Sequence, residues 1–342
     1  MKIFAKAKIH HNYSLFINLK KGNFSVNNTK PKIYAVVGPT ASGKSALALE
    51  LAKRHGGEII SCDSMQIYKR MNIGTAKPTA EELSQVRHHL IDVAEPDTSF
   101  SCEEYAALAS AAIEDCVRRG KLPIICGGTG LYLDSLLRGG NSAPACDTSA
   151  IRAELTERAE KEGIEKIYAE LMRVDPESAA AIHPNNAKRV IRALEIYLSC
   201  GIPKSELDRR SREVESKYDA TVVGLTYSDR ALLYSRIERR VDQMIAEGLV
   251  EETRALYDEG VFEANKTAAQ AIGYKELLGY VKGEETLENA VETLKTATRR
   301  YAKRQITWFS AKDYVIPLEM DGQSGVKTFE KIVNNLEKLF SL

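Results

Sequence analysis

A short apolar run, IYAVV at residues 33 to 37, feeds the stretch GPTASGKS, which opens directly into KSALALELAKR. No other segment constrains the fold as tightly. Gly38, Gly43, Lys44 and Ser45 satisfy the pattern G-x-x-x-x-G-K-[ST], which acts only where a strand precedes it and a helix follows. The glycines let backbone N–H groups of Gly38 to Ser45, through Thr40, Ala41 and Ser42, turn inward, and the helix N-terminus adds its positive end. Lys44 is expected to neutralise terminal phosphate oxygens, and the Ser45 hydroxyl to sit on Mg²⁺. The loop therefore implies a diphosphate or triphosphate, but it does not read what the phosphates are attached to.

Strand and helix signals alternate after Pro31. EII leads into SCDS as a second strand and HHLIDV reads as a third; LPIIC, residues 122 to 126, is a buried strand ending in the glycine turn GGTG. Between the last two lies SFSCEEYAALASAAIEDCVRRG, a helix opened by a capping box of Ser101 and Glu104 and stopped at Gly120. This order predicts an α/β fold, a P-loop NTPase-like parallel sheet flanked by helices. Strand signals vanish between about residues 141 and 205, where TSAIRAELTERAEKEG and AKRVIRALEIYLSCG read as amphipathic helices. TVVGLTY at 221 to 227 then returns the chain to the sheet, so residues 31–140 and 206–342 form the core, with C-terminal helices, and 141–205 a helical insertion. Residues 1–30 are Asn- and Lys-rich without periodicity and read as a disordered extension.

Composition narrows the class. Hydrophobic residues make up 44% of the 342, and no apolar run approaches the roughly 20 residues a membrane-spanning helix needs. The six cysteines form no C-x-x-C pair, which fits a reducing cytoplasm and no zinc site. Net charge is +1, but the first thirty residues hold six lysines and no acid, so the remainder is net acidic. A polynucleotide site must then be a local basic patch. Two stripes qualify: Lys188, Arg189 and Arg192 in the insertion, and Lys295, Arg299 and Lys303 in LKTATRRYAKRQITWF, with Arg300 and Arg304 alongside.

Asp63 follows the second strand at the carboxyl edge of the sheet, where such sheets place ligands. There it can ligate magnesium, accept a proton or cap the next turn. Thr129, in the second glycine turn, can offer a hydroxyl or serve only tight packing. His88 and His89 point to opposite faces of a strand, so a core or supporting role outweighs a metal. The nearest match to a guanine-reading N-K-x-D is NKTA at 265, which lacks the acid, and only Asp92 in HLID offers a short substitute for an ATPase strand-end aspartate. A small-molecule kinase and an RNA-binding protein that senses a nucleotide are both compatible with these residues.

GPTASGKS, DSMQIYKRMNIGTAKP, RHHLIDV, GGTGLYL, NNAKRVIRALEIY, AIGYKEL and TRRYAKRQITWF together resemble, in order and spacing, the tRNA dimethylallyltransferases, or tRNA isopentenyltransferases. The resemblance spans roughly residues 31 to 320. It implies that the loop holds dimethylallyl diphosphate, not ATP. The implied reaction moves the dimethylallyl group to the exocyclic amine (N6) of the adenosine immediately 3′ of the anticodon, with diphosphate leaving. Thr40, Lys44 and Ser45 with its Mg²⁺, together with Arg236, match residues serving the diphosphate, and Asp63 matches the general base. Ser64, Met65, Gln66, Thr129, Lys188, Arg189, Arg192 and the segment QAIGYK (Gln270, Gly273, Tyr274 and Lys275 among them) match positions contacting the tRNA anticodon stem-loop. The target base is expected to be flipped into a channel. No zinc-finger cysteines and histidines follow, as in the compact bacterial form, and a cytoplasmic monomer is expected.

Overall fold

A computed structural model describes residues 30–138, 148–321 and 329–342. Residues 1–29, the start of the insertion at 141 and Cys146 lie outside the described residues. Six strands, β1 (Lys32–Val37), β2 (Gly57–Cys62), β3 (His88–His89), β4 (Leu122–Gly127), β5 (Asp219–Thr226) and β6 (Val315–Glu319), form one sheet in the order β3-β2-β4-β1-β5-β6. Every pairing is parallel. The strand expected at HHLIDV shrinks to two residues, because Leu90 and Asp92 take left-handed backbone angles of φ 63° and 56°.

Helices α1 (Lys44–His55), α2 (Ala80–Gln85), α3 (Cys102–Arg118) and α4 (Gly130–Arg138) belong to the first half of the core. The capping box of Ser101 and Glu104 opens α3 as the sequence predicts, and Gly120 follows its end at φ 67°. Alternation along β1 sends Ile33, Ala35 and Val37 to a core shared with Tyr105 and Ile113 of α3, and Tyr34 and Val36 to a core shared with Leu47 and Leu51 of α1. A strand apolar on both sides can only be central, and β1 lies between β4 and β5.

The helical segment comprises α5 (Ser149–Glu162), α6 (Ile164–Val174), α7 (Pro176–Ala181), α8 (Ala187–Cys200) and α9 (Lys204–Glu213). Leu155, Ile167, Leu171, Val190 and Leu194 close a core of their own there. After β5 come α10 (Arg230–Ala246), α11 (Leu249–Asp258), the short helices α12 (Val261–Ala264) and α13 (Leu278–Val281), the long α14 (Leu287–Ser310) and, beyond β6, α15 (Phe329–Phe340). The apolar stripe from Leu233 to Leu249 is not one helix: Gly248, at φ 99°, breaks it between α10 and α11. Among the described residues no helix is long and apolar enough to cross a membrane.

Beneath β2, buried Glu58 meets His89 at 2.7 Å and Arg119 Nη2 at 2.6 Å, with the Cys116 thiol 3.5 Å away. The Arg119 guanidinium holds the Glu58 carboxyl at about 2, below its ordinary 4.5. Their pairing therefore stabilises the fold above about pH 4.5 and loses its effect as pH falls toward 2. Arg119→Ala leaves a buried carboxylate poorly matched, and the urea midpoint of unfolding at pH 7 should fall, by less than for a fully enclosed pair because Arg119 reaches solvent. The deficit should narrow at pH 4; an equal deficit at both values would show that packing, not charge, is lost.

Candidate active site

The phosphate loop is held open by its neighbours. Gly38 (φ 146°) lies so close to β5 that a Cβ would stand 3.1 Å from the Leu225 carbonyl, and Gly43 adopts φ 93°. Lys44 Nζ donates across the loop to the Pro39 carbonyl at 3.1 Å, Tyr227 Oη to that of Ser42 at 2.9 Å, and Arg236 Nε to that of Ala41 at 2.8 Å. Gln305, on α14, accepts from the Thr40 N–H at 2.8 Å and donates to the Gly128 carbonyl at 3.0 Å, tying the two glycine turns together. The Ser42 hydroxyl is buried with no partner among the described residues, an orphan that an anion would satisfy. Burial lowers the Lys44 pKa, so an arriving anion would restore its preference for the charged form.

A cavity of about 760 Å³ opens on this loop, walled opposite by Lys77, Arg236, Arg239 and Arg240. A smaller one of about 70 Å³ shares Lys44, Ser45 and Arg240 with it and adds Asp63, Tyr301 and Gln305. A third, of about 250 Å³, shares Thr40, Asp63, Arg240 and Tyr301 with the second and reaches Ser64, Met65, Gln270, Gly273 and Arg304. The loop residues Thr40, Lys44 and Ser45 and the carboxylate of Asp63 thus line one and the same cavity, flanked by the other two.

Asp63 does cap its turn: Oδ1 accepts from the N–H of Met65 at 2.9 Å and more weakly from Gln66 at 3.4 Å. Oδ2 takes no hydrogen bond from any described residue, which leaves an acceptor for a substrate. Thr129 accepts from the Ser64 N–H at 3.0 Å. The glycine turn beside it also serves packing, since a Cβ on Gly127 would stand 2.1 Å from the Cys62 carbonyl. The Gln66 side chain is spent inside the protein, accepting from Ser61 Oγ and donating to the carbonyls of Thr75 and Ala76.

Other expected residues stand elsewhere. Lys188 and Arg189 are exposed on α8 and line none of these cavities; Arg192 is tied to buried Glu195. Tyr274 is fully buried, while Lys275 is exposed and donates to Gln270 at 2.9 Å. The stripe on α14 is not free: Lys295 pairs with Asp242 at 2.7 Å and Arg299 with Glu238 at 2.6 Å, both acids from α10. That leaves Arg300, Lys303 and Arg304 exposed as the part of the basic patch without an ion pair among the described residues. Asp92 is paired with Lys77. Glu58, His89 and Cys116 bring their donor atoms within 4.8 Å of one another, but Arg119 already occupies both Glu58 oxygens, so the group is a buried ion-pair network.

Sequence reasoning passed over Arg240, Tyr301 and Gln305. Arg240 makes no ion pair with any described residue, and burial depresses its pKa while the nearby Asp63 charge opposes that shift. Its four-residue spacing from Arg236 on one helix face was the available signal. Nothing in the sequence announces Gln305, which lies 265 residues from its partner in the loop.

A family model described as IPP transferase matches residues 66–312. A tRNA dimethylallyltransferase of Caldanaerobacter subterraneus subsp. tengcongensis is 47% identical over 306 residues, covering 89% of this chain and 96% of the relative. One from Geobacillus thermodenitrificans is 51% identical over 278 residues, covering 81% and 87%. The crystal structure of the full-length tRNA isopentenylpyrophosphate transferase of Bacillus halodurans aligns with a TM-score of 0.66 at 44% identity, covering 91% of this chain and 97% of that one. A eukaryotic dimethylallyltransferase acting on tRNA aligns with a TM-score of 0.70 at 32% identity, covering 84% and 74%.

Proposed function

Since this chain belongs to the tRNA dimethylallyltransferase family, we propose that its three joined cavities carry out prenyl transfer between the phosphate loop and Asp63. The protein is a tRNA-modifying prenyltransferase. The donor is dimethylallyl diphosphate, seated on the loop, and the acceptor is N6 of the adenosine immediately 3′ of the anticodon, entering through the third cavity. The observation that carries this reading is one cavity lined both by an anion-binding loop and by a carboxylate with a free oxygen.

The N6 lone pair attacks the allylic carbon, the C–O bond to diphosphate breaks, and the N6 proton passes to Asp63 Oδ2. An adenine amine is a poor acid, so the proton leaves with or after bond formation, as a positioned carboxylate permits. Negative charge grows on the departing diphosphate, where Lys44, Arg236 and Arg240 converge from the loop and α10. Ser45 Oγ, in one cavity with Asp63, fits Mg²⁺, which when bound would neutralise part of that charge. tRNA as acceptor supports work in the cytoplasm, where the protein is expected to act as a monomer.

A kinase would share the loop and the magnesium. Incubation with labelled dimethylallyl diphosphate or γ-labelled ATP, with and without unmodified tRNA, separates the readings. Prenyl label should appear in tRNA alone, on an adenosine beside the anticodon. Phosphoryl label moving to a small acceptor, or tRNA binding with no turnover, would overturn the assignment.

A further inference from the structure

Glu252 lies in the first turn of α11 and lines none of the three cavities, yet its carboxylate gathers donors from two separate segments. It accepts from the backbone N–H groups of Asn72 at 3.0 Å, Ile73 at 2.9 Å and Gly74 at 3.2 Å, and from Tyr274 Oη at 2.7 Å. Three successive backbone donors on one side chain fix a turn as a rigid unit. Tyr274 then clamps that turn from the other side: a Cβ on Gly74 would stand 2.6 Å from its ring, so the glycine backbone lies directly against the aromatic face. The adjoining Gly273 (φ 108°) also packs against the turn, since a Cβ there would be 3.3 Å from the Gly74 carbonyl.

The clamped turn is a partition. Asn72, Ile73 and Lys77 face the cavity on the phosphate loop, whereas Gly74 and Thr75 face the cavity entered past Gln270 and Gly273. Its position therefore sets how closely donor and acceptor approach. We propose that Glu252, acting with Tyr274, is a positioning residue for prenyl transfer that holds this partition in register between the two substrates; the inference rests on the functional reading above. A carboxylate is required because all four partners are donors. Glutamine would keep one acceptor and turn an amide N–H₂ against backbone N–H groups.

The test compares full-length wild type, Glu252→Gln, Tyr274→Phe and the double variant, with Glu251→Gln as an exposed neighbour control. Dimethylallyl diphosphate affinity, single-turnover prenyl transfer at saturating tRNA, KM for tRNA and Tm are measured for each. Donor affinity should stay within about threefold for Glu252→Gln while transfer falls about 10- to 100-fold, the scale of an ångström misplacement of reacting groups. Tyr274→Phe should fall less, and the double variant no further than Glu252→Gln, because the two act as one unit. Transfer at the wild-type rate by folded Glu252→Gln, with only Tm lowered, would overturn the proposal. So would a loss of donor affinity as large as the loss of rate. A wild-type protein that moves no prenyl label would overturn the functional reading itself, and the clamp with it.

Discussion

Asp63→Ala is expected to leave dimethylallyl diphosphate binding nearly intact while slowing single-turnover transfer by about 10² to 10⁴, the range for a lost general base. Lys44→Ala should instead damage both, because its charge acts on the bound diphosphate and on the departing one. The contrast matters because Asp63 shares a cavity with Ser45, where a carboxylate can also serve magnesium. If that were its main task, its variant would resemble Lys44→Ala, and added Mg²⁺ would partly restore it. A magnesium series on both variants, reading donor affinity and rate separately, decides between the two: rescue by metal would sink the general-base assignment.

Arg240→Ala should slow transfer by about 10² to 10³, comparable to removing one oriented group from a site where negative charge develops. Family resemblance directs attention to Arg236, but Arg236 is engaged with the Ala41 carbonyl, whereas Arg240 lines all three cavities. Arg236→Ala is accordingly expected to weaken donor binding more than it slows the chemical step. A larger rate defect in Arg236→Ala than in Arg240→Ala, with donor affinity lost in the latter, would reverse the two roles.

Local chemistry made much of this legible. The capping box of α3, the glycine after it and the strand–loop–helix at Gly38 each follow from interactions within a few residues, and the structure reproduces them. What escaped was non-local. β6 contains Pro317 and sits at the sheet's edge, where a missing N–H is tolerated, so its sequence reads poorly as a strand. The basicity of α14 was plain in the sequence, but not that Asp242 and Glu238 of a different helix would pair with Lys295 and Arg299 of the stripe. Glu252 looked like one more surface acid on an amphipathic helix; only the tertiary fold brings four donors to it.

The bond from Thr40 to Gln305 has a consequence for the order in which the protein is made. The loop is synthesised 265 residues before the glutamine that fixes it, and its central strand waits for a neighbour at Asp219–Thr226. At about 5 to 20 residues per second of translation, the anion loop spends many seconds without its final brace. Partners so distant in sequence also make loop closure slow to reward, so folding should be late and cooperative. A ribosome that stops before α14 therefore releases a chain with the whole phosphate motif but no finished site, and with strand edges that seek other partners.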